Sequence, residues 1–236
     1  MVKLALLQLQ KLLTCSLATS SSSGKNNNQQ QQHQMTWHEL GQQLLNLKNA
    51  GVPDDVIMGM RLQNLPLKRT RIDQSTNPSS GRGLFAIMDI KEGDFVTCYP
   101  GDIVLHETKG FKPTPNEDVG IVNDDMLRDY LCRYCIGITD EYAIMGLPHL
   151  DTDVAYAGHF INDGVLTPPT IEEELEDYIR ESTSKANVQF LPLENLHLVG
   201  LATRDISKGE ELFVSYGPFY WMEHTPTWRG GTVPSD

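Results

Sequence analysis

The fold of this chain is decided by a short C-terminal stretch, GEELFVSYG, at residues 209–217. Taken alone, the stretch predicts a strand over Glu211–Val214 that is followed by a glycine turn, with Tyr216 at the strand end. It gains meaning from two distant segments, GRGLFA at residues 81–86 and HFIN at residues 159–162. The three segments lie far apart in the chain and follow one another in the order GRGLFA, HFIN and GEELFVSYG.

The chain has 236 residues, room for one medium-sized domain with extensions, and its formal net charge is −12 at pH 7. This acidity argues against direct nucleic-acid binding through phosphate attraction. It suits a basic partner, such as a lysine-containing protein or peptide, although plain solubility is the simpler explanation of the charge. No run of about 18 or more apolar residues is present, so no membrane association is predicted. We expect a monomer.

The cysteines Cys15, Cys98, Cys132 and Cys135 do not make a disulfide framework in a chain of this size, so a reducing compartment is expected. Two of them form a C-x-x-C pair at residues 132–135. Zinc would need two further ligands at suitable spacing, and none is obviously placed. The pair is interpreted as buried thiols, with zinc as the alternative, and no metal site is predicted.

Residues 1–34 are predicted to be a disordered or targeting leader. No acidic residue precedes Glu39, and Ser, Asn and Gln dominate residues 20–34. A lack of acidic residues is typical of organellar transit peptides, but arginine is missing as well. We therefore expect a nuclear or cytoplasmic protein, with organellar targeting as the alternative.

Two helices are predicted within residues 35–66, ahead of the main domain. A capping box, T-x-x-E, begins the first helix at Thr36, and Gly51 ends it. Pro53 opens the second helix, which runs to about Leu65. This pair is expected to be a helical N-terminal extension.

From residue 67 onward, short apolar runs punctuated by glycine and proline predict many short strands. Besides the C-terminal one, the predicted strands are Gly83–Ile87, Phe95–Tyr99, Ile103–Leu105, Tyr142–Met145, Val188–Leu191 and His197–Ala202. Two helical islands interrupt them. One runs from Asp124 to about Tyr134 with Asn123 as its candidate cap, and the other runs from Ile171 to about Ser182 after the capping box T-x-x-E at Thr170. The fold is therefore expected to be mainly β with small helical inserts. The main domain covers residues 67–221, with a variable insert at about 105–150, an acidic helical insert at 165–185, and a tail at 222–236.

The first of the three segments, GRG at residues 81–83, stands just before a predicted strand. Glycine allows unusual backbone angles and close approach of a ligand to main-chain groups, although a turn explains the pattern equally well. The segment is followed by DIKEGDFV at residues 89–96 and YPGD at residues 99–102. This order of a G-x-G, a strand, a K-x-G turn and a Y-x-G-[ED] block resembles the opening of a SET domain.

The second segment, HFINDG at residues 159–164, is similar to the SET family pattern R-F-I-N-H-S-C. Its F-I-N core matches, whereas His159, Asp163 and Gly164 replace the family's arginine, histidine and serine. Alone, Asn162 is best explained as a turn-former before an Asp-Gly pair. With three segments in family order, a role for Asn162 in holding the cofactor's amino-acid end is favoured.

The third segment, LATRDISKGEELFVSYG at residues 201–217, is closely similar to the family ending A-x-R-D-I-x-x-G-E-E-L-x-x-x-Y-G. Tyr216 matches the catalytic tyrosine of the family. Tyr220 and Trp221 match aromatic residues that often follow it and cover the adenine. The resemblance spans about residues 72–221.

The resemblance implies a SET-type β-clip fold, with short curved sheets and a pseudoknot-like C-terminal topology, here without the cysteine-rich flanking segments of many members. It implies transfer of a methyl group from S-adenosylmethionine to the side-chain amine of a lysine in a histone or another protein. The catalytic residue it implies is Tyr216. The cofactor-binding residues it implies are Gly81, Arg82, Gly83, Tyr99, His159, Phe160, Asn162, Asp163, Tyr216, Tyr220 and Trp221.

The implied chemistry explains why such residues are wanted. A lysine amine has a pKa of about 10.4, and only its neutral form can attack a sulfonium methyl. An aromatic-walled channel lowers that pKa by desolvation, and the positive sulfonium pushes it the same way. Tyr216 would then orient amine and sulfonium, with general-base action not required.

Tyr134 and Tyr142 are candidate walls of the substrate channel, with ordinary packing as the alternative for each. Val214 stands two residues before the catalytic position, where family members often carry Phe or Tyr that limits how many methyl groups are added. With valine there, the sequence leaves mono-, di- or trimethylation open. The acidic helix is interpreted as a solvated face, with contact to a basic substrate as the alternative.

Two other interpretations remain open from the sequence. The chain could be a SET-like module that has lost efficient catalysis and acts by binding a partner, which Asp163 and Gly164 motivate. It could also be an unrelated β-rich protein with chance matches.

Overall fold

The described part of the chain folds mainly into three small antiparallel sheets. The structure, a computed structural model, describes residues 36–62, 65–106, 121, 123–151, 153–166, 169 and 174–224. The strands are β1 (Thr70–Gln74), β2 (Arg82–Ala86), β3 (Phe95–Cys98), β4 (Ile103–His106), β5 (Cys135–Gly137), β6 (Tyr142–Met145), β7 (Val188–Leu193) and β8 (His197–Ala202). Their spatial orders are β1-β2, β3-β8-β7 and β4-β6-β5. The predicted mainly β fold is confirmed.

Short helices connect and flank these sheets. The α-helices are α1 (Trp37–Asn49), α2 (Asp54–Gly59), α3 (Asp124–Tyr134), α4 (Leu175–Lys185) and α5 (Pro218–His224). Two single-turn 3₁₀ helices, Val154–Tyr156 and Gly158–Phe160, lie between β6 and α4. Among the helices that the structure describes, none has the length and apolar character needed to cross a membrane.

The sequence patterns located most of the strands and α-helices but missed three of them. The predicted capping residue of α3 is confirmed, because the Asn123 side chain accepts a hydrogen bond from the Met126 N–H at 2.8 Å. Neither β1 nor β5 was predicted, since β1 (TRIDQ) has a single apolar residue and β5 has only three residues. Helix α5 follows the third motif and was also missed. The predictions for residues 1–34, for the capping box ahead of α4 and for the tail beyond residue 224 lie outside the described residues.

Helix α1 packs directly on the β domain. Its predicted capping box is confirmed, since the Glu39 N–H donates to the Thr36 hydroxyl at 3.2 Å and the Thr36 N–H donates back to the Glu39 carboxylate at 2.8 Å. Leu40 and Leu44 are fully buried in the main core, and the Trp37 ring stacks on Phe95 of β3 with centroids 5.7 Å apart. Burial of each leucine stabilises the fold by roughly 2 kcal/mol.

Helix α2 ends at Gly59, earlier than the predicted end near Leu65. The reason is tertiary, because its last turn rests against the loop that follows β3. A Cβ at Gly101 would lie 2.1 Å from the Met58 carbonyl oxygen, so only glycine admits this contact. Past α2 the chain extends, and the Leu62 N–H donates to the buried Tyr156 hydroxyl at 2.8 Å.

The C-terminal stretch is extended, but it is not the regular strand predicted over Glu211–Val214. The Leu212 N–H donates to the Leu84 carbonyl at 2.8 Å, whereas the Val214 N–H donates to the Asn162 carbonyl at 3.0 Å. Because its partners change along its length, only isolated bridges form, Phe85 with Glu211 and Asn162 with Phe213. The stretch thus joins β2 to the HFIN segment, in agreement with the pseudoknot-like C-terminal topology that the resemblance implies.

A second apolar core holds these three segments together. It includes Leu84 from β2, Phe160 and Ile161 from the HFIN segment, and Leu212 from the C-terminal stretch, all at most 4% exposed. Burial of these residues fixes the positions of their neighbours in the sequence, and several of those neighbours belong to the predicted site.

Candidate active site

A cavity of about 970 Å³ lies beside the C-terminal stretch, a size that suits a small ligand or an extended side chain. Its walls come from residues 131–133 and 135–137, from residues 158, 159 and 161, from residues 186 and 188–190, and from residues 214–216. Five of the residues predicted for the site line it: Tyr99, His159, Val214, Tyr216 and Tyr220. Distant parts of the chain therefore meet in one pocket.

Tyr216 is held at both its backbone and its side chain. Its hydroxyl donates to the Ile161 carbonyl at 3.2 Å, and its N–H donates to an Asp163 carboxylate oxygen at 3.0 Å. Its ring lies 4.5 Å, between centroids, from that of Tyr220. Burial, the largest cause, and the neighbouring Tyr220 raise the pKa of the Tyr216 phenol well above its ordinary value. The group is therefore a protonated hydrogen-bond donor near neutral pH.

Tyr99 lies directly after β3 and faces the same cavity. Its hydroxyl donates to the Tyr134 carbonyl at 2.8 Å, and its ring meets Phe190 of β7 edge-on at 5.5 Å. Burial raises the pKa of Tyr99, and burial likewise raises those of Tyr134 and Tyr220. The cavity is accordingly walled by neutral phenols.

A second group of predicted residues gathers around the GRG segment. The Asn162 side-chain N–H donates to the Arg82 carbonyl at 2.9 Å. A Cβ at Gly83 would lie 2.2 Å from the Glu211 carboxylate and 3.3 Å from the Asn162 amide, so no side chain fits there. Gly81, by contrast, is exposed, and its carbonyl accepts the Ser75 N–H at 2.8 Å. This group does not line the cavity, but it adjoins it through residues 161–163.

The Arg82 side chain is occupied by structural contacts. One guanidinium nitrogen donates to the Pro148 carbonyl at 2.7 Å, and another pairs with Asp151. The guanidinium carbon lies 4.6 Å from the centroid of the buried Phe160 ring, a cation–π contact. Arg82 and Phe160 thus brace the GRG segment against the HFIN segment, and the Arg82 backbone is the part that faces Asn162.

The remaining predicted residues lie at different distances from the cavity. The Tyr134 ring lies 6.2 Å from that of His159, close to the cavity wall. The Trp221 ring lies 6.1 Å from Tyr216. Tyr142 does not line the cavity, because its ring packs on His106 of the paired strand β4 at 4.6 Å. Of the two alternatives for Tyr142, ordinary packing describes its position.

Glu211 has a role that the sequence patterns did not suggest. This buried carboxylate accepts hydrogen bonds from the Ser75 hydroxyl at 2.6 Å and from the Thr76 N–H at 2.7 Å, and the Thr76 hydroxyl donates to it as well. It thereby holds the loop that leads to Gly81. The signal available in the sequence was the second glutamate of the GEEL motif, because it lies inside a predicted strand and directly before Leu212. A charged residue that is buried in such a strand needs hydrogen-bond partners.

The C-x-x-C pair borders the cavity as well. Cys132 and Cys135 both line it. Cys98 is fully buried, which raises the pKa of its thiol to about 12. Within the described residues, no group of three or more His, Cys, Asp or Glu is arranged to hold a metal ion.

His159 is a buried histidine, 7% exposed, and neither of its ring nitrogens has a hydrogen-bond partner among the described residues. Burial, followed by the nearby charges of Arg61 and Arg82, lowers its pKa to about 3. An unfolded chain would instead protonate this histidine at a pH of about 6.5. The folded protein therefore keeps a neutral imidazole in the cavity wall.

This histidine predicts a loss of stability in acid. Below a pH of about 6.5 the unfolded chain binds a proton that the folded chain refuses, so the free energy of unfolding falls as the pH falls toward 3. Between pH 7.5 and pH 5 the wild type should lose about 2 kcal/mol more than His159→Gln. Urea denaturation at the two pH values measures this difference. Ile144→Val changes a buried residue that does not titrate, so it should lower the stability by the same amount at both pH values. If the stability difference between His159→Gln and the wild type is also the same at both pH values, the lowered pKa of His159 is contradicted.

Comparison with known proteins agrees with this geometry. The family model described as SET domain matches residues 81–217, which run from the GRG segment to the glycine after Tyr216. The chain belongs to the SET-domain family. This SET domain includes all three motif segments, and SET-domain proteins are generally protein-lysine methyltransferases that use S-adenosylmethionine.

A curated relative of this SET domain is the protein named Histone-lysine N-methyltransferase EZH2 from Chaetomium thermophilum. The two are 26% identical over 172 residues, which cover 70% of this chain and 10% of that protein. The chain thus spans about a tenth of the length of the relative. The likeness supports a lysine methyltransferase-like function at the level of the family.

Proposed function

We propose that this SET-domain protein transfers a methyl group from S-adenosylmethionine to the side-chain amine of a lysine in a basic protein or peptide. The observation that carries the proposal is the position of Tyr216. A protonated phenol from the family's catalytic position lies in the wall of a cavity, where its hydroxyl is aimed at the Ile161 carbonyl. The cavity is large enough for a lysine side chain and the peptide around it.

The residues near the GRG segment fit the amino-acid end of the cofactor. The Arg82 carbonyl and the side chain of Asn162 lie in contact, and among the described residues no hydrogen bond reaches the side-chain amide oxygen (Oδ1) of Asn162. Two acceptors side by side suit an ammonium group. Gly83 and Asn162 would border the bound cofactor, and the open space around Gly81 leaves its backbone accessible.

The cavity residues prepare the amine for attack. Neutral phenols and apolar side chains disfavour the ammonium form of a lysine, so its pKa falls and the proton leaves to solvent. The Ile161 carbonyl and the Tyr216 hydroxyl then offer oxygen atoms that orient the neutral amine. When bound, S-adenosylmethionine supplies a methyl carbon on a positive sulfur, and the carbon–sulfur bond breaks as the carbon–nitrogen bond forms. Because Tyr216 keeps its proton, it acts here by orientation and not as a base.

The charge of the chain supports a basic substrate. Acidic residues outnumber basic ones, 31 to 19, which gives the net charge of −12. In α4, Asp177 and Glu181 are paired within the helix with Arg180 and Lys185, so these two carboxylates add little to this argument. We propose that substrate attraction arises from the overall charge and that it weakens at high salt.

Peptide methylation tests the proposed function. Purified protein, S-adenosylmethionine and an array of lysine-containing peptides should give mass increases of 14 Da per methyl group on some peptides, detected by mass spectrometry. Calorimetric titration with S-adenosylmethionine is run in parallel. Cofactor binding without methylation of any peptide would overturn the enzyme proposal and favour the partner-binding module. Failure to bind the cofactor would likewise overturn the enzyme proposal.

The contact between Asn162 and Arg82 gives a specific expectation. Asn162→Ala should weaken S-adenosylmethionine binding by about tenfold or more, because a hydrogen bond to a charged ammonium contributes about 1.5–3 kcal/mol. Isothermal titration calorimetry measures the affinity. Asn195→Ala, at an exposed turn between β7 and β8, is the control and should bind as the wild type does. Equal affinity of Asn162→Ala and the wild type would remove Asn162 from the cofactor site.

A further inference from the structure

Asp163 stands where the family has histidine, and its carboxylate is 3% exposed. Its two oxygens accept four hydrogen bonds, from the Val165 N–H at 3.1 Å, the Tyr178 hydroxyl at 2.6 Å, the Ser182 hydroxyl at 3.0 Å and the Tyr216 N–H at 3.0 Å. No Lys or Arg among the described residues pairs with it. A buried carboxylate is costly unless it is hydrogen-bonded, so these four donors hold Asp163 in place.

Two of the four donors come from the inserted helix α4. Tyr178 and Ser182 lie one helical turn apart, so both side chains point to the same face and both are buried. The Tyr178 hydroxyl also accepts the Gly217 N–H at 3.0 Å. The helix is therefore connected to the catalytic stretch both through Asp163 and directly.

These contacts hold two consecutive backbone groups of the catalytic stretch. The Tyr216 N–H is held by Asp163, and the Gly217 N–H is held by Tyr178. Burial, followed by the hydrogen bond to Asp163, raises the pKa of Tyr178 to about 12, so the phenol remains a donor near neutral pH. With its hydroxyl on the Ile161 carbonyl, the Tyr216 ring is fixed from both ends.

We propose that Asp163 and Tyr178 are positioning residues for Tyr216, and that the inserted helix α4 is a built-in support for the catalytic tyrosine. The inference rests on the proposed methyltransferase function and deepens it. It also gives a function to Asp163, which stands where the family has histidine. The Asp163 carboxylate accepts hydrogen bonds both from helix α4 and from the Tyr216 N–H of the catalytic stretch. Misplacement of a reacting group by about 1 Å can cost on the order of 100-fold in rate, so such a support affects turnover.

Tyr178→Phe tests the inference, since it deletes one hydroxyl and keeps the ring. Turnover (kcat) should fall about tenfold or more, while the KM for peptide and the calorimetric Kd for S-adenosylmethionine stay within about twofold. Tyr156→Phe is the matched control, because Tyr156 is equally buried and its hydroxyl also accepts a backbone N–H, that of Leu62. The control should lower the melting temperature and leave kcat of the folded protein unchanged.

A second variant separates positioning from general loss of structure. In a Tyr216→Phe background, adding Tyr178→Phe should lower kcat by less than twofold further, because the group being positioned is already gone. Full additivity of the two changes would overturn the inference, as would a Tyr178→Phe that behaves like Tyr156→Phe. Wild-type protein that methylates no peptide would overturn the proposed function itself, and this inference with it. An active wild type with an unaffected Tyr178→Phe would overturn the inference alone.

Discussion

Tyr216→Phe is expected to lower kcat by about 100-fold or more while the affinity for S-adenosylmethionine changes less than about threefold. The variant keeps the ring, which packs on Tyr220, and removes only the hydroxyl that donates to the Ile161 carbonyl. That hydroxyl is the polar group of the catalytic position inside the cavity, so its loss removes orientation of the amine and leaves cofactor contacts in place. Steady-state kinetics on a methylated peptide and calorimetry with the cofactor measure the two quantities.

Tyr130→Phe provides the comparison for this experiment. Tyr130 lies on α3 and does not line the cavity, so its hydroxyl should be dispensable for turnover. Equal turnover of Tyr216→Phe and the wild type would remove Tyr216 from its catalytic role. A loss of cofactor affinity as large as the loss in kcat would mean that the hydroxyl acts in binding and not in orientation.

Glu211→Ala is expected to lower the free energy of unfolding by about 3 kcal/mol or more. Its carboxylate accepts three hydrogen bonds from Ser75 and Thr76 in a site that is 4% exposed. Truncation leaves these donors without a partner and opens space beside Gly83, and each buried donor left unsatisfied costs about 1–3 kcal/mol. Urea denaturation followed by circular dichroism measures the loss.

The neighbouring glutamate is the control for this change. Glu210 is half-buried. Its carboxylate pairs with the exposed Arg204 and accepts hydrogen bonds from the Ser207 N–H and the Asn187 side chain, both at 3.1 Å. Since solvent reaches this carboxylate and can replace its lost partners, Glu210→Ala should cost less than Glu211→Ala. Similar losses for the two variants would show that burial of the second glutamate of the motif does not matter for stability.

The motif segments were readable in the sequence because each one is short and continuous. The G-x-G, the F-I-N core and the GEEL ending carry their meaning in residue types at fixed spacing, and the family model covers all three. Their convergence is borne out where contacts join them: Asn162 bonds to Arg82, and Val214 bonds to Asn162. Some of the predicted cofactor residues line the cavity, and others lie beside the GRG segment. Residue spacing could not predict this division, because it depends on which side chains the folded backbone turns toward the cavity.

Helix starts were determined by the sequence itself. The caps at Thr36 and Asn123 each bond to a backbone N–H three residues onward, so all the necessary atoms lie within one turn. Apolar runs likewise located β3, β6 and β8, since burial of alternate or continuous apolar residues is a local pattern. Local chemistry is sufficient wherever both partners of an interaction lie a few residues apart.

Tertiary structure alone decided the features in which the partners are far apart. The end of α2 depends on contact between Met58 and Gly101, and the burial of Glu211 depends on donors 135 and 136 residues away. The role of Asp163 depends in the same way on Tyr216, 53 residues further along the chain. Each of these is a close contact between a polar group and the backbone or side chain of another segment, and its free energy exists only after the chain has folded. For this reason the sequence by itself determined the family and the tyrosine that matches the family's catalytic position, Tyr216, whereas the tertiary structure decided which groups hold Tyr216 in place.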